Sequence, residues 1–279
     1  MKFGVALGAL NPHFHLDAVA VAERIGYESV WLPEHLVLPV EMTRSPRPGE
    51  DHPPIPATTP VFDAFTYLAF IAARTTTIRF GTHVYNLGLR HPFVAARAAA
   101  TLDIVSNGRF EFGIGASWLE QEWVAVGLDF ATRGRRVDES IDVCRRLWTD
   151  PVVEHHGEFF DFEAVAFEPK PVQGGGPPVL IGGESTAALR RAAGRGDGWI
   201  GMGHTFETAA AQIERLRAFR ADSDRAEIPM QVCLSGPVTS REDVHRWEKI
   251  GVTRMMVSPW RRSPEAVESL ERFADLAIT

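Results

Sequence analysis

Residues 78–118, IRFGTHVYNLGLRHPFVAARAAATLDIVSNGRFEFGIGASW, form the stretch that decides the fold. Its first part, 78–86, is rich in β-branched and aromatic side chains and predicts a strand. Pro92 fits the first turn of a helix, and the apolar residues of 93–105 follow with helical spacing. The nearly apolar segment 110–116 predicts a second strand, buried on both faces as in parallel sheets. The stretch therefore predicts one strand–helix–strand unit of an α/β fold.

Polar and aromatic side chains collect where these two predicted strands end. They are His83, Asn86, Arg90 and His91 after the first strand, and Ser117 and Trp118 after the second. The carboxyl ends of parallel strands lie at one edge of the sheet, which is where ligands bind in α/β folds. We therefore expect a binding site at this edge.

The rest of the chain repeats the alternation of strand and helix. Further strands are predicted at 2–8, 29–34, 178–181, 199–202, 231–234 and 255–258. Helices are predicted at 16–25, 63–74, 119–126, 133–148, 185–193, 206–220, 241–250 and 264–276. Eight strands, each with a following helix, predict a closed (β/α)₈ TIM barrel, and we expect a single domain over 1–279.

Two regions do not fit this repeat. Segments 154–156 and 159–162 alternate over short runs and predict a small hairpin insertion outside the main sheet. Residues 36–60 are rich in proline and show no periodicity. Loops of this length in a compact domain commonly act as lids or binding loops, so we expect this one to shape the substrate pocket.

Composition narrows the class of protein. The 279 residues are 45% hydrophobic, which suits one large core, and the formal net charge of −7 gives no basic surface for DNA or RNA. No apolar run approaches the roughly 18 residues of a membrane helix, and MKFGVAL at the start predicts a strand rather than a signal peptide. Cys144 and Cys233 lack metal-site spacing and predict buried thiols in a reducing, cytoplasmic compartment.

A glycine turn joins the predicted strand 178–181 to the helix that follows. It runs through Gly182, Gly183, Glu184 and Ser185. The glycines let the backbone approach a ligand closely, and N–H groups at a helix start bind phosphate well. The same residues would also suit a plain turn with a serine helix cap. From this motif alone, both interpretations stay open.

Three other motifs point elsewhere but are weaker. Gly113 and Gly115 could open a dinucleotide fingerprint, yet its third glycine position holds Trp118. His13 and His15 resemble the paired histidines of barrel metal hydrolases, but the later strand ends do not supply the further ligands such a site needs, and no metal site is predicted. No GxSxG motif of the α/β-hydrolases is present.

His35 is better placed for chemistry. It follows the predicted strand 29–34 directly, beside Glu34. His83 and Asn86 are expected at the same end of the barrel, where the carboxyl ends of the strands form its rim. Trp118 offers a flat side chain near the possible phosphate site, although core packing would explain it equally.

Several segments together resemble the luciferase-like monooxygenase superfamily over nearly the whole chain. They are MKFGVAL, VWLPEH, GTHVYNLGLRHP, ATLDIVSNGRFEFGIGASWLEQE, ATRGRRVDESIDVCRRLW, FEPKPVQ, PPVLIGGES and GDGWIGM. Within the superfamily, the chain is most similar to actinobacterial oxidoreductases thought to use the deazaflavin coenzyme F420. The resemblance implies a (β/α)₈ barrel, a flavin or deazaflavin cofactor, and a homodimer.

The resemblance also assigns roles to residues. It implies that the cofactor phosphate lies at Gly182–Ser185 and that the ring lies against the inner strand ends. His35 matches a histidine beside the ring in several F420 enzymes. Thr82 and His83 match a strand bulge that supports the ring, often through a non-proline cis peptide. The predicted cofactor contacts are Thr82, His83, Asn86, Ser117, Trp118, Gly182, Gly183, Glu184 and Ser185.

One departure from the family pattern affects the mechanism. In F420 sugar-phosphate dehydrogenases of this superfamily a glutamate acts as the acid near the position of Trp118, whereas here Glu120 and Glu122 are displaced along the helix. Proton transfer would then fall to His35 or His83, our predicted catalytic residues, or the reaction would be a reduction that needs no such acid.

The sequence therefore predicts an F420-dependent oxidoreductase that moves a hydride to or from a small organic substrate. One alternative keeps the fold and uses FMN and O₂ as a monooxygenase. Two others are a metal-dependent barrel hydrolase and a flavin-type binding protein without turnover.

Overall fold

The structure, a computed structural model, describes residues 1–42, 45 and 55–278. The strands are β1 (Lys2–Ala6), β2 (Ser29–Leu32), β3 (Arg79–Thr82), β4 (Tyr85–Asn86), β5 (Phe110–Gly115), β6 (Val153–His156), β7 (Asp161–Val165), β8 (Val179–Gly182), β9 (Gly198–Gly203), β10 (Gln231–Ser235) and β11 (Arg254–Val257). The α-helices are α1 (His15–Ile25), α2 (Ala64–Ala72), α3 (Pro92–Val105), α4 (Glu120–Ala125), α5 (Arg133–Thr149), α6 (Thr186–Arg195), α7 (Phe206–Ala221), α8 (Arg241–Ile250) and α9 (Ala266–Ala277).

Eight parallel strands in this part of the chain close into a barrel. Their order is β3-β2-β1-β11-β10-β9-β8-β5, and pairing of β3 with β5 closes the ring. The helices surround the barrel and pack on its outer, apolar face. The predicted (β/α)₈ barrel is therefore confirmed. Much of the predicted loop 36–60 lies outside the described residues.

The strand predicted over 78–86 is interrupted. β3 ends at Thr82, a cis peptide bond joins His83 to Val84, and the chain resumes as the short β4, which pairs with β5. Val84 packs at the inner mouth of the barrel, where a Cβ on Gly115 or Gly182 would approach its side chain within 2.7–2.8 Å. Glycine at these two positions is what gives Val84 its room.

The predicted hairpin is present, but its second strand begins later than the sequence suggests. β7 starts at Asp161 rather than Phe159, because Gly157 donates its N–H to the carbonyl of Phe160 in a turn. Phe159 and Phe160 donate their N–H groups to the carboxylate of Glu139 in α5 rather than to a neighbouring strand. A distant side chain therefore shortens the strand.

Paired charges fill the amino end of the barrel. Arg254 is fully buried there, donates to Glu28 at 2.8 Å and to Glu111 at 2.9 Å, and lies over the ring of Trp31. Burial alone would raise the pKa of Glu28, but the hydrogen bonds and charge of Arg254 outweigh it and lower this pKa to about 2. With this end filled, a ligand site belongs at the carboxyl ends of the strands.

Several local predictions are also confirmed. Asp63 caps α2 by accepting the N–H of Thr66, and Pro92 occupies the first turn of α3. Cys144 and Cys233 are both buried and free. Across the described ranges, the helices are too short or too polar to cross a membrane.

Candidate active site

His35 lies at the barrel mouth, just beyond β2, and contacts a buried carboxylate. Its Nδ1 is 3.2 Å from Oε2 of Glu122, and the Glu122 side chain has no exposure to solvent. The other oxygen, Oε1, accepts the N–H of Leu36 at 2.5 Å and that of Val37 at 3.4 Å. One carboxylate in α4 therefore binds both the ring of His35 and the backbone that follows it.

Trp118 forms another wall around His35. The two rings stand at 88° with their centroids 6.0 Å apart, and both residues keep partial exposure. Ser117, next to Trp118, has a φ of +65°, and its Oγ accepts the N–H of Leu119 at 3.1 Å. A serine in the left-handed region is uncommon, and such strain often marks a functional turn. The turn after β5 thus presents Trp118 to His35.

A second buried carboxylate supports this part of the rim. Glu34 accepts the N–H of Asn86 at 2.9 Å and is paired with Arg90 at 2.5 Å. The amide of Asn86 donates to the carbonyl of Glu34 and to Glu122, both at 3.4 Å. Asn86 is therefore occupied within the protein, and its role as a cofactor contact stays a prediction.

Thr82 and His83 lie at the interruption between β3 and β4. The hydroxyl of Thr82 is fully buried and donates to the carbonyl of Gly113 at 2.6 Å. Burial lowers the pKa of His83 to about 4. This shift favours the neutral form of the His83 ring near neutral pH. The roles of His35 and His83 in proton transfer both stay predictions.

The Gly182–Ser185 turn leads into α6 as predicted. Gly183 has a φ of +125°, and Ser185 caps the helix by accepting the N–H of Ala188 at 3.1 Å. Ser185 and Thr186 are exposed, and no acceptor among the residues described here binds their N–H groups. The serine cap and an open anion site therefore coexist in this turn.

Glu184 would repel a phosphate if its carboxylate faced the start of α6. Instead it accepts the N–H of Met202 at 2.6 Å and lies 3.2 Å from Nε2 of His204. Burial raises the pKa of Glu184, but these contacts outweigh it and lower the pKa below its ordinary value. The negative charge is therefore held against the end of β9.

The histidines that suggested a metal site are not arranged as one. His15 is buried, its Nε2 bonds the carbonyl of Leu10 at 3.0 Å, and its pKa is lowered by burial. His13 packs edge-on against Phe14. Within residues 1–42, 45 and 55–278, no three His, Cys, Asp or Glu side chains stand close enough to hold a metal.

Sequence reasoning did not anticipate that Glu122 contacts His35. The two residues are 87 positions apart, and the pattern showed only two acidic residues in a short helix. The available signal was position, since Glu122 lies in the first turn of the helix that directly follows a barrel strand. Buried Leu119 and Trp123 flank it and turn this face of α4 inward.

The barrel, its polar rim and its open helix start define a (β/α)₈ protein with a candidate site at the carboxyl ends of the strands. More specifically, the chain belongs to the luciferase-like monooxygenase family, whose sequence model matches residues 1–273. This family comprises oxidoreductases and monooxygenases, so membership gives no support to the metal-dependent hydrolase alternative.

Individual similarities agree with that family. An uncharacterised protein of Mycobacterium tuberculosis is 32% identical over 292 residues, which cover 100% of this chain and 99% of the relative. The oxygenase component of a flavin-dependent trigonelline monooxygenase from Acinetobacter baylyi is 31% identical over 168 residues, 60% of this chain and 41% of the relative. An F420-dependent secondary alcohol dehydrogenase, solved with an F420-acetone adduct, shares the fold with a TM-score of 0.79 at 16% identity, over 99% and 98% of the chains.

Proposed function

We propose that this protein transfers a hydride between coenzyme F420 and a small organic substrate. The observation that carries the proposal is His35 at the barrel mouth, held between Glu122 and Trp118. A substrate that gains or loses a hydride at a carbonyl or alcohol carbon also exchanges a proton, and a positioned histidine supplies it near neutral pH. The motif resemblance favours F420 as the cofactor.

The residues at the rim fit a cofactor that carries a phosphate. Ser185 and Thr186 are exposed at a helix start, where N–H groups bind phosphate. Gly183 has no side chain that could block the approach of a ligand to this turn. Val84 and Trp118 provide apolar surfaces around the barrel mouth. The bound cofactor would supply the redox chemistry, while the protein binds, orients and handles the proton.

A second candidate is an FMN-dependent monooxygenase that uses O₂. It is supported by the 31% identity to the flavin-dependent trigonelline monooxygenase component. The two candidates differ chemically, because reduced FMN reacts readily with O₂ and reduced deazaflavin does not.

Fluorescence titration with F420 and with FMN tests the proposal directly. We expect F420 to bind more tightly, and reduced F420 to be turned over by a set of small ketones and aldehydes without O₂ uptake. Tighter FMN binding with substrate-dependent O₂ uptake would replace the proposal with the second candidate. Binding of F420 without any turnover would indicate a binding protein.

Variants at Thr186 test the phosphate site. Thr186→Glu should weaken F420 binding roughly five- to tenfold, because two like charges about 4 Å apart cost about 1 kcal/mol even in water. An acidic residue in the first turn favours the helix itself, so the fold should hold. Thr186→Ala is the matched control, since it removes the hydroxyl that accepts from Arg215 and the γ-methyl group without adding a charge. Gly183→Val is a poorer test, because the φ of +125° strains any side chain there.

The homodimer implied by the family resemblance is also a proposal. Sedimentation velocity over a range of protein concentrations tests it, and a single monomeric species at every concentration would refute it.

A further inference from the structure

We infer that Glu122 is the positioning residue for His35 and that it fixes the ring in the tautomer whose Nε2 is free to exchange a proton. The catalytic meaning of this inference rests on the proposed function, but its geometry does not. The observations behind it are the contacts of one fully buried carboxylate at the barrel mouth.

Within the described residues, the four hydrogen-bond contacts of the Glu122 carboxylate are all with nitrogen atoms. Oε1 accepts from the backbone of Leu36 and Val37, and Oε2 faces Nδ1 of His35 and the amide of Asn86. An ionised carboxylate can only accept hydrogen bonds, so a set made only of nitrogen atoms matches it. Of these partners, only the ring of His35 can move its proton to another atom.

The tautomer follows from this contact. Because Glu122 accepts, the neutral His35 ring must carry its hydrogen on Nδ1 to bond it, which leaves a lone pair on Nε2. No partner of Nε2 is found in the described ranges of the chain, and the side chain keeps 14% exposure. Nε2 is therefore the ring atom available to accept a proton from a substrate or, once protonated, to return it.

Glu122 also fixes the backbone that carries the ring. The N–H groups of Leu36 and Val37 are donated to Oε1, so residues 35–37 are held to α4 by a single side chain. This clamp sets both the position and the tautomer of His35, which are the two properties that a proton-transfer residue needs.

Glu122→Gln separates these two contributions. The glutamine oxygen can still accept from Leu36 and Val37, while its NH₂ group replaces Oε2 opposite His35. The ring must then accept at Nδ1, which moves its hydrogen to Nε2. We expect turnover to fall roughly 10²–10⁴-fold with little change in cofactor affinity or KM.

The chain contains a matched control. Glu139 faces Nε2 of His155 at 3.0 Å and accepts the N–H groups of Phe159 and Phe160, so it forms the same kind of clamp on the hairpin. In Glu139→Gln the amide oxygen can stay at Oε1, which already faces both His155 and the N–H of Phe160, so neither the tautomer of His155 nor turnover should change.

The test measures imidazole ¹⁵N shifts in ¹⁵N-histidine-labelled protein at about pH 8.5, where an ordinary histidine is neutral. The His35 signals are assigned from their loss in His35→Gln. We expect the Nδ1–H form in the wild type and in Glu139→Gln, and the Nε2–H form in Glu122→Gln. Single-turnover rates and KM are measured on the same proteins.

Each result decides the inference. An Nε2–H tautomer of His35 in the wild type overturns the inference, and this result does not depend on whether Glu122→Gln folds. A folded Glu122→Gln protein that keeps both the Nδ1–H form and the wild-type turnover also overturns it. If the ring shifts follow expectation but the wild type does not turn over F420, the positioning by Glu122 stands and the proposed cofactor chemistry fails.

Discussion

Two regions of this protein use the same clamp, in which one carboxylate binds a histidine ring and two consecutive backbone N–H groups. At the barrel mouth Glu122 holds His35, and on the hairpin Glu139 holds His155. The histidines are 14% and 17% exposed, and the carboxylates 0% and 13%. The clamps differ in one local detail: Glu122 binds the ring and the backbone through different oxygens, whereas Oε1 of Glu139 binds both His155 and the N–H of Phe160.

Their surroundings differ. His35 follows a barrel strand and meets Trp118 at the rim, on the barrel that also carries the open start of α6. His155 lies in β6, outside the barrel, with its ring 5.8 Å from Phe162. A histidine–carboxylate pair thus becomes a candidate for catalysis through its place at a strand end, while the same pair on a hairpin fastens a turn.

Removal of each histidine should give the largest contrast. His35→Ala should lower single-turnover rates roughly 10²–10⁴-fold, because it removes the proton-transfer group. His155→Ala should leave the rate unchanged, since His155 lies outside the barrel and its carboxylate partner is Glu139 rather than a residue of the barrel mouth. Single-turnover kinetics with saturating cofactor and substrate measure both.

Cofactor affinity separates a chemical role from a packing role in the same variants. If His35→Ala weakened F420 binding as much as it slowed turnover, the histidine would only pack beside the ring. Equal rates in the two alanine variants would abolish the distinction between the clamps.

His83 adds a third case to the comparison, because this histidine lies at the rim but no clamping carboxylate binds its ring in the described residues. Its ring contacts no carboxylate in the described part of the chain, and burial lowers its pKa to about 4 in the folded state, below the ordinary 6.5. From about pH 7.5 upward the ring is almost wholly neutral in both states, so it adds little pH dependence there. As pH falls toward 4, only the unfolded state gains the proton, and stability is lost.

This loss should amount to roughly 1–3 kcal/mol between pH 6.5 and 4, and it should be absent in His83→Gln. Urea unfolding of both proteins across that range isolates the contribution of His83 from the carboxylates that titrate in both. Parallel stability curves for the two proteins would show that His83 protonates freely in the fold.

The sequence could predict what depends on neighbouring residues. The strand–helix repeat, the Asp63 cap and the Pro92 helix start are local, because each arises from spacing or from bonds within a few positions. The predicted barrel followed from these together with the alternation of elements. The position of His35 at the barrel mouth was also predicted, since its place at a strand end is visible in the chain, while its catalytic role stays a prediction.

What the sequence missed depends on contacts between distant residues. Strand propensity predicted a single strand over 78–86, but the strand breaks where Val84 turns into the mouth between Gly115 and Gly182. Only the family resemblance implied a bulge at Thr82 and His83. The second hairpin strand starts late because Glu139 takes its first N–H groups. The Glu122 contact was missed for the same reason. Each of these features is set by a side chain more than 15 positions away, which periodicity does not reveal.

The smallest expected effect is a difference in stability between Glu122→Ala and Glu139→Ala. Each change leaves two N–H groups and a ring nitrogen without their acceptor, which should cost about 1–3 kcal/mol. Glu122→Ala also removes one of the two acceptors of the Asn86 amide. Glu122 is the more buried carboxylate, but Leu36 beside it is 41% exposed, so water can replace part of the loss. Glu139 is less buried, yet Phe160 is only 3% exposed and its N–H is harder to hydrate.

Because these factors oppose each other, we expect the two free energies of unfolding, measured in urea at constant m-value, to agree within about 1 kcal/mol. A much larger cost at Glu122 would mean that this clamp mainly stabilises the fold. Equal costs combined with unequal turnover would show that the two clamps stabilise alike and that only the one at the barrel mouth serves the reaction.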